Sequence, residues 1–157
     1  MTYYSLREFI ERLECDNELV RIRERVSPVL EIAEITDRIS KQPGGGKALL
    51  FENAEGSTIP VLINAFGSTK RMTAAMGVHD IEKIPKAIEK YLKVTPPSSL
   101  IDKVKLLPML LEAAAFPPKI VSGKQALCQE VVLTGEDVDL GKIPILQCWP
   151  NDAGRFI

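Results

Sequence analysis

The sequence predicts an α/β (α+β) fold, with helices flanking a small mixed sheet and a strand-rich tail behind them. Two observations carry this expectation. Up to about Ala115, stretches with apolar residues at helical spacing alternate with short runs of strand formers, the pattern of an α/β layer. From Ala126 the helical spacing stops and strand-like runs follow one another. The expected division is an N-terminal domain over residues 1–115 and a strand-rich junction over 116–157.

The elements follow in order. Leu6, Phe9, Ile10 and Leu13 recur at the spacing of a helix with one buried face, and Ser5 with Glu8 reads as its capping box. In "NELVRIRE", apolar Leu19, Val20 and Ile22 stand beside Arg21 and Arg23, as in a half-exposed strand. Ser27-Pro28 predicts the opening of a second helix with a core stripe of Ile32, Ile35 and Ile39, ended by "PGGGK". "ALLFEN" (48–53) and "PVLINAF" (60–66) read as strands joined by a hairpin or close connection. Short helices are predicted over Thr69–Met76 and around Ile84, Ile88 and Leu92, with Pro85 tolerated in the first turn. "TPPSS" (95–99) is a break. Leu100, Val104, Leu107 and Leu111 form the next helical stripe, kinked at Pro108. "AAAFPPKIVSG" is a loop. "ALCQEVVL", the turn "TGED" and "VDLGKIPIL" then read as strands.

The totals exclude several functions. A chain of 157 residues fits one ordinary domain; at that size roughly 70% of the unfolded surface can be buried without staples. A net charge of −1, from 20 basic and 21 acidic residues, offers no field for gathering phosphate backbones, so nucleic acid is excluded as a partner. The start "MTYYSLREFIERLE" carries charges where a signal peptide needs an apolar core, and no apolar run is long enough to span a bilayer. Cys15, Cys128 and Cys148 are an odd number without paired spacing, which points to reduced thiols in a cytoplasmic protein.

Four groups of residues invite a chemical reading, and each has a plainer one. "GGGK" (44–47) lacks the hydroxyl residue of a phosphate loop, has Ala48 in its place, and lies after a helix and before a strand; it reads as a helix-ending loop. His79, the only histidine, has no companion ligands in sequence and reads as a surface or loop residue. Glu31, Glu34 and Asp37 lie opposite the isoleucine stripe, as a solvated helix face does. Cys128 and Cys148 have no nameable base and read as small buried hydrophobes. Within these residues no catalytic, cofactor-binding or metal-ligating set emerges.

The tail "GEDVDLGKIPILQCWPNDAGRFI" resembles the signature of the UbiD family of reversible, non-oxidative decarboxylases. Gly135, Asp137, Val138, Asp139 and Leu140 match its first turn. Ile143, Pro144, Cys148, Trp149, Pro150 and Asp152 match the strand and the Cys-Trp-Pro-x-Asp corner, with Ala153 and Gly154 where members carry two small residues. "LREFIERLE", "NELVRIRE", "LEIAEITDR", "ALLFENAEG", "PVLINAFGSTKR" and "MTAAMGV" resemble the family's N-terminal region in order and spacing, with Asn17 in place of a frequent glycine.

The resemblance implies the front third of a longer enzyme, with residues 116–157 holding the first strands of a split β-barrel. That barrel binds prenylated FMN with Mn2+ and K+, and the family's acid–base network lies beyond Ile157, as does a threonine near the cofactor. The implied reaction is decarboxylation of a small aromatic or α,β-unsaturated carboxylic acid, in a homo-oligomer. No cofactor is expected on these residues alone. Leu146–Trp149 is expected to be a strand entering the barrel, with Trp149 and Pro150 packing at a domain junction. The rival reading is a non-catalytic binding or assembly module derived from the same domain.

Overall fold

The computed structural model describes residues 3–94, 99–114, 117–118, 120–123 and 126–155. Residues 95–98 of the expected break at 95–99, and parts of the Ala113–Gly123 loop, lie outside them. The chain forms two compact units, Met1–Pro85 together with Asp139–Ile157, and Lys86–Val138.

The first unit is built on a three-stranded sheet in the order β1 (Leu19–Ile22), β2 (Ala48–Phe51), β3 (Val61–Ile63). β1 and β2 are parallel, with Leu19 opposite Ala48; β2 and β3 are antiparallel, with Leu49 opposite Ile63. The parallel pair requires a crossover, supplied by the helix α2 (Glu31–Ser40). All four residues of β2 are buried. Successive side chains point to opposite faces, so β2 feeds two cores. Ala48 and Leu50 join Phe9 and Leu13 of α1 (Leu6–Cys15), with Ala74 and Ala75 of α3 (Thr69–Ala75) packed against them. Leu49 and Phe51 join Val26, Ile32 and Ala54, with Ile35, Ile39 and Leu146 alongside. Full burial of side chains such as Phe51 and Ile32 contributes about 1.5–3 kcal/mol each.

Two helix starts differ from expectation in detail. Ser5 Oγ accepts from Glu8 N as a cap should, but the Glu8 carboxylate reaches back to Tyr4 N rather than to Ser5 N. α2 begins at Glu31, three residues after Pro28, because Val29 and Leu30 are engaged by the tail. Ser27 still organises the approach: its Oγ accepts from Val29 N, and its own N–H donates to the Glu31 carboxylate at 2.6 Å.

In the second unit the helix α5 (Leu100–Ala113) runs through Pro108, and Lys90 on α4 (Lys83–Leu92) pairs with Glu112 on α5 at 3.0 Å. The expected core stripe of α5 is solvent-facing: Val104, Leu107 and Leu111 are exposed. The strands expected after Ala126 are not formed. Leu127–Gln129 and Gly135–Asp137 are 3-10 turns, as is Leu140–Lys142 in the first unit, and Val131–Leu133 is irregular and exposed. A strand persists only as a rung of a ladder, and among the described residues these find no partner segment.

Candidate functional site

The expected strand Leu146–Trp149 is reduced to one parallel bridge, Val29 opposite Gln147. Gln147 N donates to Pro28 O at 3.0 Å, and Leu30 N donates to Gln147 O at 2.9 Å. This clamp bends the chain. Leu30 takes φ 66, ψ −38, and Glu31 N closes onto Val29 O at 2.8 Å. A three-residue turn of this hand is strained for a residue with a Cβ, at a cost of about 1–3 kcal/mol. Leu146 anchors the tail by packing on the core of Ile32 and Phe51. Just beyond, Asp152 Oδ2 accepts from both Cys148 N (3.1 Å) and Trp149 N (2.8 Å), folding Cys148–Pro150 into a fixed corner.

The corner and α2 enclose an open cleft of about 840 Å³, within the size range of ligand pockets. Its apolar surface comes from Val29, Leu30, Ala33, Ile63, Trp149 and Pro150. Trp149 remains 61% exposed. The rim carries Glu31, Glu34 and Asp37, whose carboxylates are already engaged, by Ser27 N, Arg38 and Lys41 respectively.

Where β1 and β2 begin and β3 ends lies a polar knot. Arg71, its side chain 0% exposed, donates from Nη1 to Glu18 at 2.9 Å and to Gly46 O at 2.7 Å, and from Nη2 to Gly45 O. Asn64 donates to Gly45 O and Lys47 O. Lys70 also bonds Glu18 at 2.8 Å and, with Arg71, holds its carboxyl below the usual carboxylate range against the opposing push of burial. The glycines allow this close approach: a Cβ on Gly45 would meet Gly67 O at 1.8 Å, and one on Gly67 would meet Asn64 Oδ1 at 1.8 Å.

The sequence candidates are thus located. Gly44–Lys47 is the turn between α2 and β2, with its carbonyls taken by Arg71 and Asn64, a connecting role. His79 is exposed on a bend. Glu31, Glu34 and Asp37 form ion-paired or capped positions on α2. Cys15, Cys128 and Cys148 are all exposed, which corrects the reading of Cys128 and Cys148 as buried. Cys128 lies in a short turn instead of a strand, and the Asp152 bonds hold Cys148 on a projecting corner. The sequence reading missed the Arg71 knot, and the positive φ of Gly44, Gly45 and Gly46 that lets the loop approach Arg71 shows only in the structure.

Comparison with known proteins decides the family. Residues 10–91, more than half of the chain, match the 3-octaprenyl-4-hydroxybenzoate carboxy-lyase N-terminal domain, and residues 119–157 match the Rift-related domain of the same carboxy-lyase. The chain belongs to the UbiD family. A protein of Archaeoglobus fulgidus is 49% identical over 157 residues, covering 100% of this chain and 31% of that protein. Among solved structures, the vanillic acid decarboxylase of Sedimentibacter hydroxybenzoicus in its open form aligns at TM-score 0.71 and 25% identity, over 99% of this chain and 30% of its own. The UbiD-class enzyme HmfF of Pelotomaculum thermopropionicum, in complex with FMN, aligns at TM-score 0.65 and 30% identity, over 96% of this chain and 28% of its own. An evolved dimeric form of HmfF carries prenylated FMN. The chain spans about 31% of the length of the relatives it matches in Aquifex aeolicus and Archaeoglobus fulgidus.

Proposed function

We propose that this chain is the N-terminal part of a UbiD-like, prenylated-FMN-dependent carboxy-lyase that removes carbon dioxide from an aromatic or α,β-unsaturated carboxylic acid in the cytoplasm, working as a homo-oligomer. The observation that carries the reading is the ordered pair of family matches, over 10–91 and 119–157. That order also supports a domain boundary near residue 115, between 1–115 and 116–157. HmfF bound to FMN and to prenylated FMN supports the flavin.

The flavin would supply the electron sink for the departing carboxylate. The described residues do not fit its Mn2+. Among the described residues no group of three or more His, Cys, Asp or Glu is placed to hold a metal, and His79 is exposed on a bend. We propose no catalytic, cofactor or metal role for the described residues. Its part is to build the sheet and to clamp the tail in a fixed direction through Val29–Gln147 and Asp152.

The test is to extend the chain beyond Ile157 to the length of its relatives, supply prenylated FMN, Mn2+ and K+, and assay carbon dioxide release. Benzoate-type, furoate-type and cinnamate-type acids form the panel, with a 4-hydroxybenzoate of quinone synthesis first. Release above a heat-killed control supports the reading. Flavin binding without release from any acid favours the non-catalytic module.

A further inference from the structure

We infer that the segment 27–30 is a two-state switch worked by the tail. With Gln147 docked it is the strained turn described above; with Gln147 released it becomes the first turn of α2. The docked tail and the longer helix exclude one another, so a movement of the tail is passed into α2.

The longer helix is already half built. Ser27 is a good cap residue, and Pro28 has the fixed φ and missing N–H that suit a first helical position. Ser27 Oγ accepts from Val29 N at 3.2 Å, as a cap does. Ser27 N donates to the Glu31 carboxylate at 2.6 Å, the return bond of a capping box displaced by one residue. What stops the turn is the occupation of two backbone groups. In a helix starting at Pro28, Pro28 O accepts from Ile32 N, and Leu30 N turns to the Ser27 cap. Gln147 takes both: its N–H donates to Pro28 O, and its carbonyl accepts from Leu30 N. Ile32 N is left to Ser27 O at 3.2 Å, and Glu31 N to Val29 O at 2.8 Å. Leu30 is thereby held at φ 66, a conformation that the right-handed helix relieves. The exchange is local, because both ends are fixed. Val26 is buried and bridged to Ala54, and Ile32 is buried in the same core. Leu146, packed on that core, favours the docked state; the strain at Leu30 favours release. Val29 and Leu30 also line the cleft beside Trp149, so the switch remoulds that wall. A segment with two discrete arrangements, each using the same backbone groups, is the physical requirement for such coupling.

Two substitutions at Leu30 bias the switch in opposite directions. Glycine adopts positive φ without strain and disfavours helix, whereas alanine does the reverse. The readout is hydrogen exchange of the Gln147 amide, the proton bonded to Pro28 O in the docked state. It is expected to exchange at least about fivefold faster in Leu30→Ala than in Leu30→Gly, the ratio that their difference in helix preference sets. Equal rates in the two variants would overturn the switch. A strained turn without a helical alternative also favours glycine, so a second measurement separates the two. Gln147→Pro removes the donor to Pro28 O, and the α-carbon chemical shifts of Val29 and Leu30 are then followed by NMR. The switch predicts that both move to helical values. Movement to random-coil values would show simple fraying, and unchanged shifts would show that the clamp does not hold the turn; either result refutes the proposal. If neither Leu30 variant unfolds cooperatively, the shifts in Gln147→Pro decide alone.

Discussion

Arg71 shows what a buried charge demands. Its guanidinium is enclosed by Glu18 and the carbonyls of Gly45 and Gly46, so removing Glu18 leaves a buried cation without its counter-charge, and removing Arg71 leaves those carbonyls unpaired and Glu18 held by Lys70 alone. Arg71→Ala is expected to cost about 3–5 kcal/mol, read from the urea midpoint, whereas breaking the exposed Arg38–Glu34 pair should cost less than about 1 kcal/mol. Gly45→Ala should also destabilise, since its Cβ would lie 1.8 Å from Gly67 O at a φ of +84. A Gly45→Ala variant as stable as the parent would contradict the knot. The knot also fixes a pH dependence. Lys70 and Arg71 lower the Glu18 pKa in the folded state relative to the unfolded state. Its stabilisation is therefore complete above the ordinary glutamate value of about 4.3 and is lost as pH falls through the folded value. Glu18→Gln should be less stable than the parent at neutral pH, with the gap closing below about pH 4 in a series of urea titrations. None of this was legible in the sequence. Arg71 reads there as one more surface cation in "GSTKR", and only the three-dimensional meeting of residues from three segments buries it.

At the scale of elements, α1, α2 and the β2–β3 pair could be read because each carries its own periodicity: Phe9 and Leu13, Ile32 and Ile35, and the fully apolar "ALLF". The start of α2 and the tail strands could not, because both depend on partners distant in sequence. Val29 and Leu30 are drawn out of the helix by Gln147, more than a hundred residues along the chain. That clamp is a backbone device, which sets its test. Gln147→Pro removes the N–H that donates to Pro28 O, whereas Gln147→Ala keeps it. The proline variant should expose the segment after residue 139 to protease several-fold faster, and the alanine variant should resemble the parent. Equal cutting of both variants would show that Leu146 packing alone holds the tail.

On the scale of the whole molecule, the two units differ in how well they are covered. The first has two cores around β2. In the second, Ile101, Val104, Leu107, Leu111 and Val131 are all exposed. The helical stripe of α5 was therefore legible as a pattern, but its burial was not, because the sequence cannot say which segment covers it. Exposed apolar surface on this scale drives association. The 157-residue chain should sediment as concentration-dependent oligomers, and Val104→Glu with Leu111→Glu should shift it towards monomer. A parent that stays monomeric over a wide concentration range would argue against this.

The same incompleteness bears on function, since the UbiD membership rests on the two matched segments while the described residues hold no group fit for the cofactor's metal. The most direct measurement of the account is flavin retention. The purified chain is incubated with prenylated FMN, Mn2+ and K+, desalted, and its flavin absorbance compared with that of the same chain extended to the length of its relatives. The account predicts no flavin on the 157-residue chain and about one equivalent on the extended protein. One equivalent retained by the short chain, or none by a folded extended protein, would contradict it.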